Sequence, residues 1–191
     1  MDIFTAMKER RSCRDYSSES ISSETIEKIL EAGTFAPSPM NMQPWQFIVI
    51  TNQEMKNEIA KEAERCRDWA AKDCGQKWAG SYKMDFVKSA PVLIAVTGDP
   101  KKTGIDAFMK DDGSVGYQYA CAAAIQNMML AAHALGIGSL WFTFFEKKNV
   151  AKIIGVEEGK ALISIVCLGK CSSVPAPMPR KPVKEKTRFI S

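Results

Sequence analysis

Apolar positions recur along this chain with two periods, and the alternation between them lays out the elements. Ile3 and Met7 share a face from Asp2 to about Glu9, which predicts a short opening helix. A second helix is expected from Ser22-Ser23-Glu24, a capping hydroxyl followed by an acid in the first turn, with Ile26, Ile29 and Leu30 on its buried side. Gly33 and Pro37 are expected to close it. Phe47 to Ile50 is a continuous apolar run of strand length and predicts a buried strand, followed by a charged helix from Glu54 to about Trp69. Pro91 to Val96 and Ala161 to Leu168 are apolar on both faces, as in strands of a sheet covered on two sides. Between them, 33 residues from Gly113 to Phe145 carry no formal charge. That length suffices for a membrane span, but seven alanines with Gln118, Gln126, Asn127 and His133 weaken insertion. Gly136-Ile137-Gly138 then divides the run into a helix, from about Ser114 to Leu135, and a strand. A helix apolar nearly all round must be enclosed, and a second copy of the chain is the expected cover. Gln126 and His133 share one of its faces and are expected to be a satisfied polar pair in packing.

Composition narrows the class. At 191 residues the chain is expected to be one domain, residues 1–191, and 46% apolar residues can fill its core without disulfides or metal. The net charge is +4, yet Lys170 to Ser191 holds six basic residues against one acid, and Arg10, Arg11 and Arg14 form a second basic cluster. The remaining body has no broad positive face and the aromatics are not interleaved with the charges, so a nucleic-acid binding module is the weaker reading. The six cysteines follow no framework, which reads as small buried apolar residues in a reducing cytoplasm. Neither their spacing nor the single His133 suggests a metal site. The first residues show no apolar leader.

Two segments carry candidate chemistry. Glu9-Arg10-Arg11-Ser12-Cys13-Arg14-Asp15-Tyr16 gathers three guanidiniums and a hydroxyl within five residues, a donor set suited to a phosphate monoester, or else a solvated basic turn paired with Glu9 and Asp15. Ala36-Pro37-Ser38-Pro39-Met40-Asn41-Met42-Gln43-Pro44-Trp45 is stiffened by three prolines, and Ser38, Asn41 and Gln43 supply donors and acceptors for a flat heteroaromatic edge. A plain surface connection explains Trp45 and two methionines poorly, although Trp45 could belong to the core.

At these motifs the chain resembles the nitroreductase family of FMN-dependent homodimers. The R-R-S-x-R set stands at Arg10, Arg11, Ser12 and Arg14, and the P-S-x-x-N-x-Q-P-W loop at Pro37, Ser38, Asn41, Gln43, Pro44 and Trp45. A long apolar helix followed by Gly136, Gly138, Ser139 and Trp141 matches as well, as does the basic tail Pro179-Arg180-Lys181-Pro182. The resemblance implies an α+β fold, a mixed and mainly antiparallel sheet flanked by helices, with an extended C-terminal arm. It implies that Arg10, Arg11 and Ser12 hold the FMN phosphate and ribityl end, joined from the tail by Arg180 and Lys181. Arg14 would sit at the N1/O2 edge of the ring, where a cation favours the reduced anion. Pro37, Ser38, Pro39, Asn41 and Gln43 would come from the other subunit, and Trp141-Phe142-Thr143 would pass the ring, a backbone N–H near Thr143 donating to N5. Thr143 replaces the glycine or acid of many relatives, Pro39 replaces a second serine, and Cys66 to Ser81 matches no motif. The activity implied is electron transfer from NADH or NADPH to a nitroaromatic, quinone or similar conjugated acceptor, with no side chain named as catalytic acid. Reductive dehalogenation, enoate reduction and flavin destruction are alternatives on the same fold. No G-x-G-x-x-G follows a strand, so a separate nicotinamide-binding domain is not expected.

Overall fold

The computed structural model describes residues 1–109, 113 and 115–190; Ser114, the expected start of the long helix, lies outside them. Helix α1, Ile3–Glu9, is capped by the Asp2 carboxylate, which accepts from the Phe4 and Thr5 N–H groups, and Ser22 caps α2, Ser23–Thr34, in the same way. Strand β1, Trp45–Ile50, leads to α3, Gln53–Lys72, and the short α4, Phe86–Ser89. Strand β2, Val92–Gly98, is followed by α5, Gly116–Ala134, and β3, Gly138–Phe142. Helix α6, Lys147–Ile153, and β4, Ala161–Gly169, complete the core before an exposed arm that runs to residue 190.

The four strands form one sheet in the order β1-β2-β4-β3, each pair antiparallel. The parallel pairing among the described residues is an isolated bridge between Ser12 and Ser139. Alternation along the central strands sorts their side chains to two cores. Leu93, Ala95, Ile165 and Cys167 face one layer with Ile59, Phe86 and Val150, while Val92, Ile94, Val96, Val166 and Leu168 face the other with Ile29, Ile125 and Met128. Fully burying each such large aliphatic residue contributes about 1.5–3 kcal/mol, so the sheet is secured from both sides.

Several local expectations change. β1 is an edge strand, half-covered along most of its length, because a continuous apolar run does not reveal whether a neighbour lies on its outer side. Gly33 lies inside α2, where a Cβ would meet Met128 Cγ at 2.9 Å and Phe47 Cζ at 3.1 Å; it permits close packing of α2 on α5 rather than capping the helix. α5 is enclosed largely by its own chain, through α2, the sheet and α1, which leaves a strip with Gln118, Tyr119 and Gln126 exposed and Ala122 and Ala123 half-buried. His133 and Gln126 make no satisfied pair: Gln126 is exposed, and the buried His133 Nε2 has no partner.

The cysteines depart furthest from expectation. Cys13 and Cys171 form a disulfide, with Cα atoms 6.0 Å apart and a separation of 158 positions in sequence. The pairing of Ser12 with Ser139 and of Tyr16 with Cys171 brings the two sulfurs together, which no local spacing can announce. The sulfurs lie over Gly138, where a Cβ would approach Cys13 Cβ to 2.9 Å.

Candidate cofactor site

The N-terminal basic segment leaves α1 with Arg10 as its C-cap and runs extended beside β3. The Cys13 N–H donates to the Ser139 carbonyl at 2.9 Å, and the Tyr16 hydroxyl, buried and driven far upward in pKa by that burial, lies within hydrogen-bond distance of the Cys13 carbonyl at 2.9 Å and the Cys167 carbonyl at 3.2 Å. Strand alternation buries Cys13 and leaves Arg14 exposed beside it. Arg11 spends one nitrogen on the end of α1, donating to the carbonyls of Lys8 at 2.6 Å and Arg10 at 2.9 Å. Arg14 Nε donates to the Tyr82 hydroxyl at 3.1 Å, which fixes the guanidinium against the segment that follows α3.

Arg10 is the unusual group. Its Nη1 is buried with no partner, and burial together with the charges of Arg180 and Arg11 holds its pKa below the ordinary arginine value. An unpartnered buried nitrogen among like charges is costly until an anion joins it. A cavity of about 400 Å³ opens there, lined by Arg10, Arg11, His133, Ser139 and Lys170 among others. Ser139 Oγ and His133 Nε2 are likewise buried without partners, so three polar atoms in this wall await hydrogen bonds. His133 was not marked as a binding residue by its sequence context; Ser139 belonged to the matched motif but carried no role. Lys181 is exposed on the arm next to Arg180.

Trp141 is half-buried and Phe142 buried on β3, and Thr143 stands exposed where the chain leaves the sheet. Thr143 and Phe144 line a second cavity of about 470 Å³ against α3.

The proline-rich loop has a fixed shape. Ser38 Oγ accepts from the Gln43 N–H at 3.0 Å, and Gln43 Nε2 donates to Asn41 Oδ1 at 3.3 Å. Met40, Asn41 and Gln43 have φ of 51°, 53° and 44°, left-handed values that non-glycine residues hold only where surroundings impose them. Pro39 supplies that constraint by seating on Gly104 and Gly116: a Cβ on Gly104 would stand 2.4 Å from Pro39 Cβ. Pro37, Ser38 and Pro39 border a small cavity of about 290 Å³ with Asp106 and Tyr119.

One chain does not bring the two motif sets together. The register aligns Trp45 with Gly98 at one end of the sheet, on the β1 edge, and Ser139 with Leu168 and Val92 at the other end, on the β3 edge. Six residues of strand and three inter-strand spacings separate these corners, about 25 Å on the diagonal.

The Nitroreductase family model matches residues 7–170. The chain belongs to the nitroreductase family. Among relatives of this nitroreductase-family protein, one from Archaeoglobus fulgidus, named "Putative NADH dehydrogenase/NAD(P)H nitroreductase", is 36% identical over 166 residues, covering 84% of this chain and 80% of the relative. An iodotyrosine dehalogenase 1 homolog of Caenorhabditis elegans is 25% identical, covering 98% of this chain and 61% of its own length. The crystal structure of a nitroreductase with bound FMN from Desulfitobacterium hafniense superposes with a TM-score of 0.80 at 27% identity, covering both chains completely. The cofactor is FMN, and the residues present suit it: the unpartnered Arg10 nitrogen among cations is an anion cradle of the kind a phosphate monoester requires. Among the described residues, no helix is long and apolar enough to cross a membrane.

Proposed function

We propose that this FMN oxidoreductase takes electrons from NADH or NADPH and passes them to a nitroaromatic, quinone or similar conjugated acceptor, working as a homodimer. The observation that carries the reading is the Arg10 cradle, a built anion site at the end of the family's own motif. In this reading Arg10, Ser12, Arg180 and Lys181 hold the phosphate, with Arg11 bracing the turn through the carbonyls of α1. Arg14, positioned by Tyr82, places a cation at the ring edge, while Trp141, Phe142 and Thr143 line the ring's flank. Pro37, Ser38, Pro39, Asn41 and Gln43 of a second copy complete the site, because their own copy holds them at the far corner of the sheet. The exposed strip of α5 and the arm, with Val174, Met178, Val183, Phe189 and Ile190 in solvent, supply surface for that second copy to cover. Bound FMN supplies two-electron chemistry, and the chain's task is to hold its charge, shield its faces and admit donor and acceptor in turn.

Purified protein is expected to carry a flavin absorption band and to be bleached by NADH or NADPH in stopped flow, then reoxidised by a nitroaromatic or quinone. Absence of reduction by either nicotinamide would overturn the reading. Reductive dehalogenation is the second reading, favoured by the Caenorhabditis elegans relative, and an iodinated phenol in the acceptor panel tests it directly. Sedimentation tests the dimer: a monomer that keeps bound flavin would refute the shared site.

A further inference from the structure

We propose that the cavity beside Thr143 selects planar aromatic acceptors that carry an anionic substituent. The inference rests on the proposed function, which sets Thr143 at the reacting edge of the site, and it assigns a role to the segment after Cys66 that matched no motif.

The cavity has the volume of a small-ligand site, about 470 Å³, and its walls divide by chemistry. Trp69 and Phe144 provide flat apolar surface, and Trp69 is 56% exposed, with its ring left open beside the cavity. Phe144 is itself supported by Trp78 and Tyr82, with ring centroids 5.8 and 6.3 Å away, so its part of the wall is packed in place. A half-exposed indole and a phenylalanine lining the same cavity suit a flat ring that can stack on either.

The polar side of the cavity is cationic. Arg65, Lys147 and Lys148 line it against a single acid, Glu146. Arg65 is already committed: its Nε and Nη2 donate to Glu62 at 2.8 and 2.7 Å, and Asn149 Nδ2 donates to the same carboxylate at 3.1 Å, tying α3 to α6. Lys147 and Lys148 are exposed at the start of α6, and among the described residues neither forms an ion pair. Two uncommitted ammonium groups beside an aromatic wall match a ring bearing carboxylate, sulfonate or phenolate. A neutral ring of equal size would gain the stacking alone.

The test compares 4-nitrobenzoate with 4-nitrobenzyl alcohol as acceptors for the FMN-loaded protein. The benzoate is expected to show the lower KM by about 3- to 10-fold, the range that two exposed charges support, and to lose that advantage in high salt. Lys147→Gln with Lys148→Gln is expected to bring the KM ratio close to one, Trp69→Ala to raise KM for both acceptors, and Lys61→Gln, on the same protein but outside the cavity, to preserve the ratio. Equal KM values in the wild type, or a ratio that survives the double substitution, would overturn the proposal. Should the flavin be reduced yet neither these two acceptors nor a quinone be turned over, the proposed function fails on its own. Calorimetric titration with 4-nitrobenzoate then decides the cavity: binding weakened several-fold in the double variant supports it, and unchanged binding overturns it.

Discussion

Arg10→Ala with Arg180→Ala is expected to leave the fold intact and to weaken FMN by about 30- to 1,000-fold. The range comes from the surroundings of the two groups. Arg10 is half-buried with an open nitrogen, so its charge-assisted bond to a phosphate contributes about 1.5–3 kcal/mol. Arg180 is exposed and screened, and contributes about 0.5–1 kcal/mol. Together they account for about 2–4 kcal/mol of affinity, which converts to the range above. Without ligand the sign reverses, because burial, with the charge of Arg180 second and that of Arg11 third, holds the Arg10 pKa below the ordinary value, and removing Arg180 relieves part of that repulsion. The apoprotein of Arg180→Ala should therefore melt no lower than wild type. Arginine side chains stay protonated between pH 5 and 9, so this effect should not vary across that range. Titration of apoprotein with FMN and with riboflavin, which lacks the phosphate, isolates the interaction. Wild type should prefer FMN strongly, and the double variant should bind the two nearly alike. A double variant that keeps the wild-type preference for FMN, with riboflavin binding unchanged, would refute the phosphate assignment.

Arg14→Ala should lower the flavin midpoint potential by a few tens of millivolts, at about 30 mV per 1.4 kcal/mol, since a cation at the ring edge meets full negative charge only after reduction. Tyr82→Phe, which frees Arg14 from its 3.1 Å anchor, should move the potential the same way but less; spectroelectrochemistry of both FMN-saturated variants checks this, and an unchanged potential removes Arg14 from the ring. Glu62, held down to a pKa of about 2 by the Arg65 fork, Asn149 and Cys66, contributes stability that is complete above its unfolded value near 4.5 and disappears as pH falls through about 2. Glu62→Gln should therefore cost about 1–2 kcal/mol at pH 7 and flatten the acid limb of the melting profile between those values. Cys171→Ser should cost about 2–4 kcal/mol, against about 5 kcal/mol for ideal closure of so long a loop, and reductant should lower the wild-type melting temperature without affecting the variant. Six free thiols by mass spectrometry of untreated protein would remove the cross-link.

Elements that depend on local pattern were legible. Ser22 and its following acid placed the start of α2, and the doubly apolar runs placed β2 and β4 in a sheet covered on both faces. Features that depend on distant neighbours were not. Nothing near Gly33 shows that Met128 and Phe47 press on it, and nothing near Cys13 points to Cys171. The candidate site divides in the same way. The candidate phosphate donors stand out because three arginines crowd five residues, whereas the unsatisfied His133 and Ser139 emerge only when the end of α5 and the start of β3 meet the N-terminal segment. Arg11 shows the limit of reading by residue type, since one of its nitrogens serves a helix end.

The bond between Cys13 and Cys171 turns nearly the whole domain into a covalent ring, with only α1 and the basic arm outside the loop it closes. A protease that cuts the exposed turn around Cys74-Gly75-Gln76 would open the ring without releasing either piece. The nicked protein would run as one species on a non-reducing gel and as two on a reducing one. Met1 lines the cavity at Arg10, so a tag fused at the N-terminus would sit against that cavity. A fusion partner is better tolerated at the far end of the sheet, around the Glu157-Glu158-Gly159 turn between α6 and β4.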